Sequence, residues 1–195
     1  MSRLRFDAGS LSLNLLATVG RRFGTPVERL MSLERLHAWL TGVGLASAAG
    51  LGEAELARIR SFREDLDRLI RAVLTGQRVD PAAVSSINEA AAIGTRLRLR
   101  ITNTHDRVEL EPPDGSPLEV VLALIARDAI RLLTSPARGD LRECEAPDCR
   151  MLYLARSESE RRWCSSRHCG NRSRVAAHRA RRQTASRPPK TNEAP

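Results

Sequence analysis

The sequence predicts a mainly α-helical amino-terminal domain with one β-hairpin, an α+β arrangement, followed by a small module built on two cysteine turns. Three observations lead there. Apolar residues recur at helical spacing through most of residues 1–137. The period drops to two over residues 95–111. All four cysteines then fall within 26 residues near the end.

The elements follow in order. Residues 11–19 form a short apolar segment read as a helix, closed by Arg21-Arg22. Thr25-Pro26-Val27-Glu28 resembles a capping box with proline at the first helical position. Ser32 starts a second helix carrying Leu33, Leu36 and Leu40, which Gly42 and Gly44 stop; His37 in this helix is read as structural. Residues 53–74 hold the clearest stripe: Leu56, Ile59, Leu66, Leu69, Ile70 and Val73. Asp80-Pro81 opens another helix that ends near Gly94. Leu97, Leu99 and Ile101 then alternate with Arg96, Arg98 and Arg100, and Val108 and Leu110 with Arg107, Glu109 and Glu111. That is a hairpin turning at residues 103–106. Its arginines read as a solvated face paired with the glutamates, with a second nucleic-acid contact as the alternative. Ser116-Pro117-Leu118-Glu119 starts the last helix of the domain, and residues 134–139, with Pro136, mark the boundary. Residues 138–183 form the module, and residues 184–195, with Pro188 and Pro189, are expected to be disordered.

Charge is unevenly spread. From Arg161 to Lys190 there are ten basic residues and no acidic one, whereas the rest of the chain carries 22 basic and 23 acidic side chains. A near-neutral body with a basic end suits an anion-binding element. No segment approaches the roughly 18 apolar residues of a membrane span, and the first 20 residues do not read as a signal peptide. The expected compartment is the reducing cytoplasm, where four cysteines are metal ligands more readily than disulfides.

Cys144 and Cys149 are separated by four residues, as are Cys164 and Cys169, with fourteen residues between the pairs. Two such turns supply a tetrahedron of thiolates for one structural Zn²⁺ with no position left open. The intervening Met151, Leu152, Tyr153 and Leu154, a polar turn at residues 157–160, and Arg161, Arg162 and Trp163 read as a short hairpin joining the two cysteine turns. His168, beside Cys169, is read as a surface residue. A module this small buries little core, so metal binding is expected to supply much of its folding energy, on the order of 10–16 kcal/mol in small fingers. After Cys169, Ser173, Ala176, Ala177 and Ala180 form a small-residue stripe suited to packing on the cysteine turns. Asn171, Arg172, Arg174, His178, Arg179, Arg181 and Arg182 cover the rest of this helix and are the candidate nucleic-acid contacts. Some of this charge is expected to offset the thiolates instead.

Arg161-Arg162-Trp163-Cys164-Ser165 followed by Cys169-Gly170-Asn171-Arg172 resembles the CGNR zinc finger, a likeness that runs through Arg174, His178 and Arg179 over residues 141–182. Where that family usually has an aspartate, this chain has Leu154-Ala155-Arg156-Ser157-Glu158. Residues 1–137 resemble the ABATE domain that accompanies this finger, through Leu13-Asn14-Leu15-Leu16-Ala17-Thr18, Arg63-Glu64-Asp65-Leu66 and the order of hairpin and helix. The resemblance implies a treble-clef-like finger that binds DNA, an amino-terminal domain for sensing or assembly, and a role in bacterial stress-linked transcription. Duplex DNA is the expected partner, with an unidentified small ligand at the amino-terminal domain and a homodimer as further partners. Structured RNA and a purely structural finger are the competing readings. Without a Ser/His/Asp set, a phosphate loop or an open metal site, the chain is not expected to be an enzyme.

Overall fold

A computed structural model describes residues 3–45, 50–94, 99–101, 108–110, 116–155 and 161–185 of the 195-residue chain. The expected turns at residues 103–106 and 157–160, Arg96 and Arg98, and residues 186–195 of the tail lie outside them.

The helices start and stop where local chemistry directs. Ser10 caps α1 (Leu11–Leu16) by accepting from the Leu13 amide at 3.2 Å. Ser32 does the same for α2 (Leu33–Gly42) through the Arg35 amide. The Glu55 carboxylate folds back to the Gly52 amide at 2.8 Å to open α3 (Glu53–Thr75), and Gly76, at φ 66°, closes it. Asp80 caps α4 (Pro81–Ala92), with Pro81 in its first turn. Pro117 opens α5 (Pro117–Thr134), which packs against α1, α3 and α4.

The Thr25–Pro26 signal does not start a helix. Val27 and Glu28 form a strand, β2 (Val27–Glu28), antiparallel to β1 (Val19–Gly20), with Val19 opposite Glu28. Tertiary pairing overrides the local cap. The Glu28 carboxylate accepts from the Arg29 and Leu30 amides at 3.0 and 2.9 Å and pairs with buried Arg63 at 2.7 Å. Burial works against the charge of Glu28, but the Arg63 guanidinium outweighs it and holds the carboxyl below its usual range. His37 lies on the exposed face of α2. The period-two segment does form a hairpin, β3 (Leu99–Ile101) with β4 (Val108–Leu110), in which Leu99 faces Leu110 and Arg100 faces Glu109.

The carboxy-terminal hairpin differs from expectation. It does not join the two cysteine turns. Strand β5 (Leu141–Glu143) pairs antiparallel with β6 (Leu152–Leu154), so the first cysteine turn sits at its tip, closed by the Cys144 amide on the Met151 carbonyl at 2.9 Å. A 3₁₀ turn (Pro136–Asp140) links α5 to β5.

This module shares its core with the body. Leu141, Met151, Leu152, Tyr153 and the four cysteines belong to one buried cluster with Leu13, Leu16, Trp39, Ile59, Leu66 and Ile125. Tyr153 is fully buried. The amino-terminal segment lies along β6, where the Leu154 amide donates to the Ala8 carbonyl at 2.8 Å. Gly9 permits this approach. Its φ is 103°, and a Cβ there would collide with the Leu154 side chain. Metal is therefore not the sole source of order in the module, because apolar burial against the body contributes as well.

A chain of ion pairs crosses the same junction. Arg71 of α3 bonds Asp67 at 2.8 Å, pairs with Glu143 of β5, and donates to the Arg150 carbonyl at 2.9 Å. The guanidiniums of Arg71 and Arg150 each lie 5.0 Å from the ring of Phe23.

Candidate metal centre and nucleic-acid interface

Cys144 directly follows β5, and Cys149 closes a tight turn in which its amide donates back to the Ala146 carbonyl at 2.9 Å. Cys164 precedes a wide turn of π-helix (Ser166–Gly170) that contains Cys169 and that the Ser165 hydroxyl caps at the His168 amide. A backbone bond from the Glu145 amide to the Arg162 carbonyl, 3.0 Å, ties the two cysteine turns together. All four cysteines are buried, and their sulfurs lie within 4.8 Å of one another.

The fit to zinc can be judged from the sulfurs themselves. Tetrahedral Zn–S bonds of about 2.3 Å place neighbouring sulfurs about 3.8 Å apart. The Sγ atoms of Cys149 and Cys164 are separated by 3.7 Å, and those of Cys164 and Cys169 by 3.6 Å. A disulfide would need about 2.05 Å, and all four thiols are free. Four thiols packed this closely cannot all ionise without a cation. Hydrogen bonds from Cys149, Cys164 and Cys169 hold Cys144 low, whereas Cys149 and Cys169 are pushed up by their thiol neighbours. One Zn²⁺ removes that conflict by taking all four as thiolates. The set is closed, so the ion is structural.

Positive groups surround the sulfurs, as the net negative charge of a zinc tetrathiolate requires. Arg5 donates through Nη1 to Cys164 Sγ and through Nη2 to the Cys164 carbonyl, both at 3.1 Å. Asp7 holds the other edge of the same guanidinium at 2.9 and 2.8 Å. Burial opposes the charge on Arg5, but Asp7 and Cys164 together raise its pKa. Arg172 reaches Cys169 Sγ at 3.7 Å and Asp148 at 2.8 Å, and Arg21 meets the other oxygen of Asp148 at 3.1 Å. Arg161 donates to the carbonyls of Trp163, at 2.9 Å, and Cys164, and its own carbonyl accepts from the Tyr153 hydroxyl. Arg5 has no signature in the cysteine spacing. It lies 159 residues from its sulfur, and only the fold brings the two together.

Helix α6 (Asn171–Ala185) leaves the second cysteine turn directly. Asn171 and Arg172 stand at its start, with Arg172 partly engaged by the metal site. Within the small-residue stripe Ser173 is half-buried, but Ala176 and Ala177 are exposed and not packed on the cysteine turns, and so are Arg174, Val175, His178 and Arg179. Arg181 is exposed as well, and Arg182 continues the helix. At about 1.5 Å per residue, α6 extends roughly 22 Å. The reason it stands clear is its composition. It carries no Leu, Ile or Phe with which to bury a face.

No helix among the described residues is long and apolar enough to cross a membrane. No curated protein sequence matches the chain. Two family models do. ABATE, described as "Putative stress-induced transcription regulator", matches residues 9–136, and the CGNR zinc finger matches residues 141–182.

Proposed function

Because the chain belongs to the ABATE family and ends in a CGNR zinc finger, we propose that it is a zinc-dependent, DNA-binding transcription regulator whose amino-terminal domain senses a small ligand or directs assembly. One observation supports DNA binding above the others: α6 stands exposed with arginines and no carboxylate. An isolated helix of this length is marginal in water. A polyanionic surface would neutralise its like charges and hold its shape. Guanidiniums suit that contact because they bind phosphate oxygens in pairs. The zinc centre sets the helix on a buried knuckle, so the direction of α6 follows from the metal. Phosphate contacts would supply most of the affinity, and of Asn171, Arg172 and Arg174 near the helix start, Asn171 and Arg174 would approach base edges while Arg172 stays with Asp148.

Selection of bound sequences from random duplex DNA by the zinc-loaded chain tests this reading. Enrichment that is lost after chelation, and lost in Arg174→Glu/Arg179→Glu at unchanged zinc content, is the expected result. Enrichment indifferent to both treatments, or a preference for structured RNA over duplex in direct competition, would overturn it.

A further inference from the structure

A cleft of about 600 Å³ opens between residues 3–7, the β1–β2 segment and the second cysteine turn. Its volume falls within the range of small-molecule sites. Six arginines line it. Three are committed: Arg5 to Asp7 and Cys164, and Arg21 and Arg172 to Asp148. The other three form no ion pair with a described carboxylate. Arg29 is half-buried and spends its hydrogens on neutral carbonyls, those of Ala17 at 3.1 Å and Arg3 at 3.0 Å. These carbonyls take its Nε and Nη1, and no described residue accepts from its Nη2. Burial and the like charge of Arg5 weigh against its charge, with Glu28 and the thiols of Cys149 and Cys164 offsetting them in part. The side chains of Arg3 and Arg167 make no hydrogen bond or ion pair with any described residue. Gly20 keeps the arrangement open, because a Cβ at that position would occupy the space of the Arg29 guanidinium. Leu4, Phe6 and Met151 give the same cleft an apolar wall.

We propose that this cleft binds a small phosphate monoester with an apolar group, its phosphate held by Arg3, Arg29 and Arg167 and its apolar part against Leu4, Phe6 and Met151. Three guanidiniums without carboxylates suit a dianion that accepts several charge-assisted hydrogen bonds. The walls come from both the body and the turn that starts α6. An occupant therefore adds a link between the second cysteine turn, and with it α6, and the amino-terminal domain, beside the one Arg5 makes to Cys164. The proposal rests on the sensing role given to that domain and names the class of what is sensed.

Titration of the zinc-loaded full chain with phenyl phosphate in phosphate-free buffer is the test, with inorganic phosphate and succinate in parallel. Saturable one-site binding of phenyl phosphate, tighter than inorganic phosphate, is expected. Arg3→Ala/Arg167→Ala should weaken it by roughly tenfold or more, the equivalent of charge-assisted hydrogen bonds lost. Arg58→Ala/Arg78→Ala, which removes two exposed cations elsewhere, should leave it unchanged. Binding that never saturates, or that falls equally in both double variants, overturns the proposal. So does release of phenyl phosphate by saturating duplex DNA, since the cleft would then hold a nucleic-acid phosphate. Succinate binding in place of phenyl phosphate overturns the phosphate class while leaving a sensing role intact.

Discussion

Arg5 donates from Nη1 to the sulfur of Cys164 at 3.1 Å, across 159 residues of sequence. A segment that precedes the first helix thereby completes the surroundings of a metal site near the other end of the chain. Outer hydrogen bonds to metal ligands tune affinity by about 10–100-fold. Arg5→Ala is expected to weaken zinc binding within that range, measured by competition with a chromophoric chelator, with the helical circular dichroism of the body unchanged. An unchanged zinc affinity would show that Arg5 only anchors the amino-terminal segment.

Glu28 and Arg63 carry a pH dependence whose direction follows from the Glu28 pKa. That pKa is depressed in the folded chain. The pair therefore contributes fully above the ordinary glutamate range, about pH 4.3, and loses its contribution as pH falls through the lower folded value. Glu28→Gln should be less stable than the parent at neutral pH, by about 1–3 kcal/mol for a buried guanidinium losing one of its two carboxylates, since Arg63 Nε keeps Glu64 at 2.9 Å. The gap between the two should close in acid, where the parent carboxyl is itself neutral. Denaturant midpoints across the pH range measure this. A gap that stays constant into acid would assign the loss to packing.

Arg71 joins α3 to the carboxy-terminal hairpin through Glu143, the Arg150 carbonyl and the face of Phe23. Arg71→Met keeps much of the side-chain volume and removes the charge. Faster amide hydrogen exchange is expected in β5 and β6, by roughly tenfold for a loss of about 1–2 kcal/mol, with α4 and α5 unaffected. Uniform acceleration throughout the chain would mean that Arg71 supports the body as a whole.

The arginines of α6 make salt a direct probe of the nucleic-acid contact. With about five phosphates neutralised, log affinity for duplex DNA should fall against log salt with a slope near −4 to −5. Arg179→Ala should reduce that slope by about one. An interaction indifferent to salt would exclude phosphate contact by this helix.

Helix α3 was legible from its long apolar stripe, and α4 and α5 from their start signals, Asp80-Pro81 and Ser116-Pro117. The cysteine tetrad was legible from spacing alone. Thr25-Pro26-Val27-Glu28 misled because a capping box is local, whereas the strand it forms depends on Val19-Gly20 and on Arg63, 35 residues beyond Glu28. The hairpin partner of residues 152–154 was misplaced for a similar reason. Leu141 and Glu143 precede the cysteines, and nothing in their short apolar pattern ranks them above residues 161–163. The Ala176–Ala177 stripe has helical spacing, but periodicity states which residues share a face and not whether anything covers it. Arg5, Arg21 and Arg29 were invisible as site residues, since their partners are set by the body folding back onto the finger.

Native mass spectrometry of the chain purified under reducing conditions tests the metal centre most directly. One zinc per chain is the expected result, released only with loss of structure in residues 141–182. A metal-free chain that retains the same fold, or one whose mass shows paired disulfides, would contradict the account.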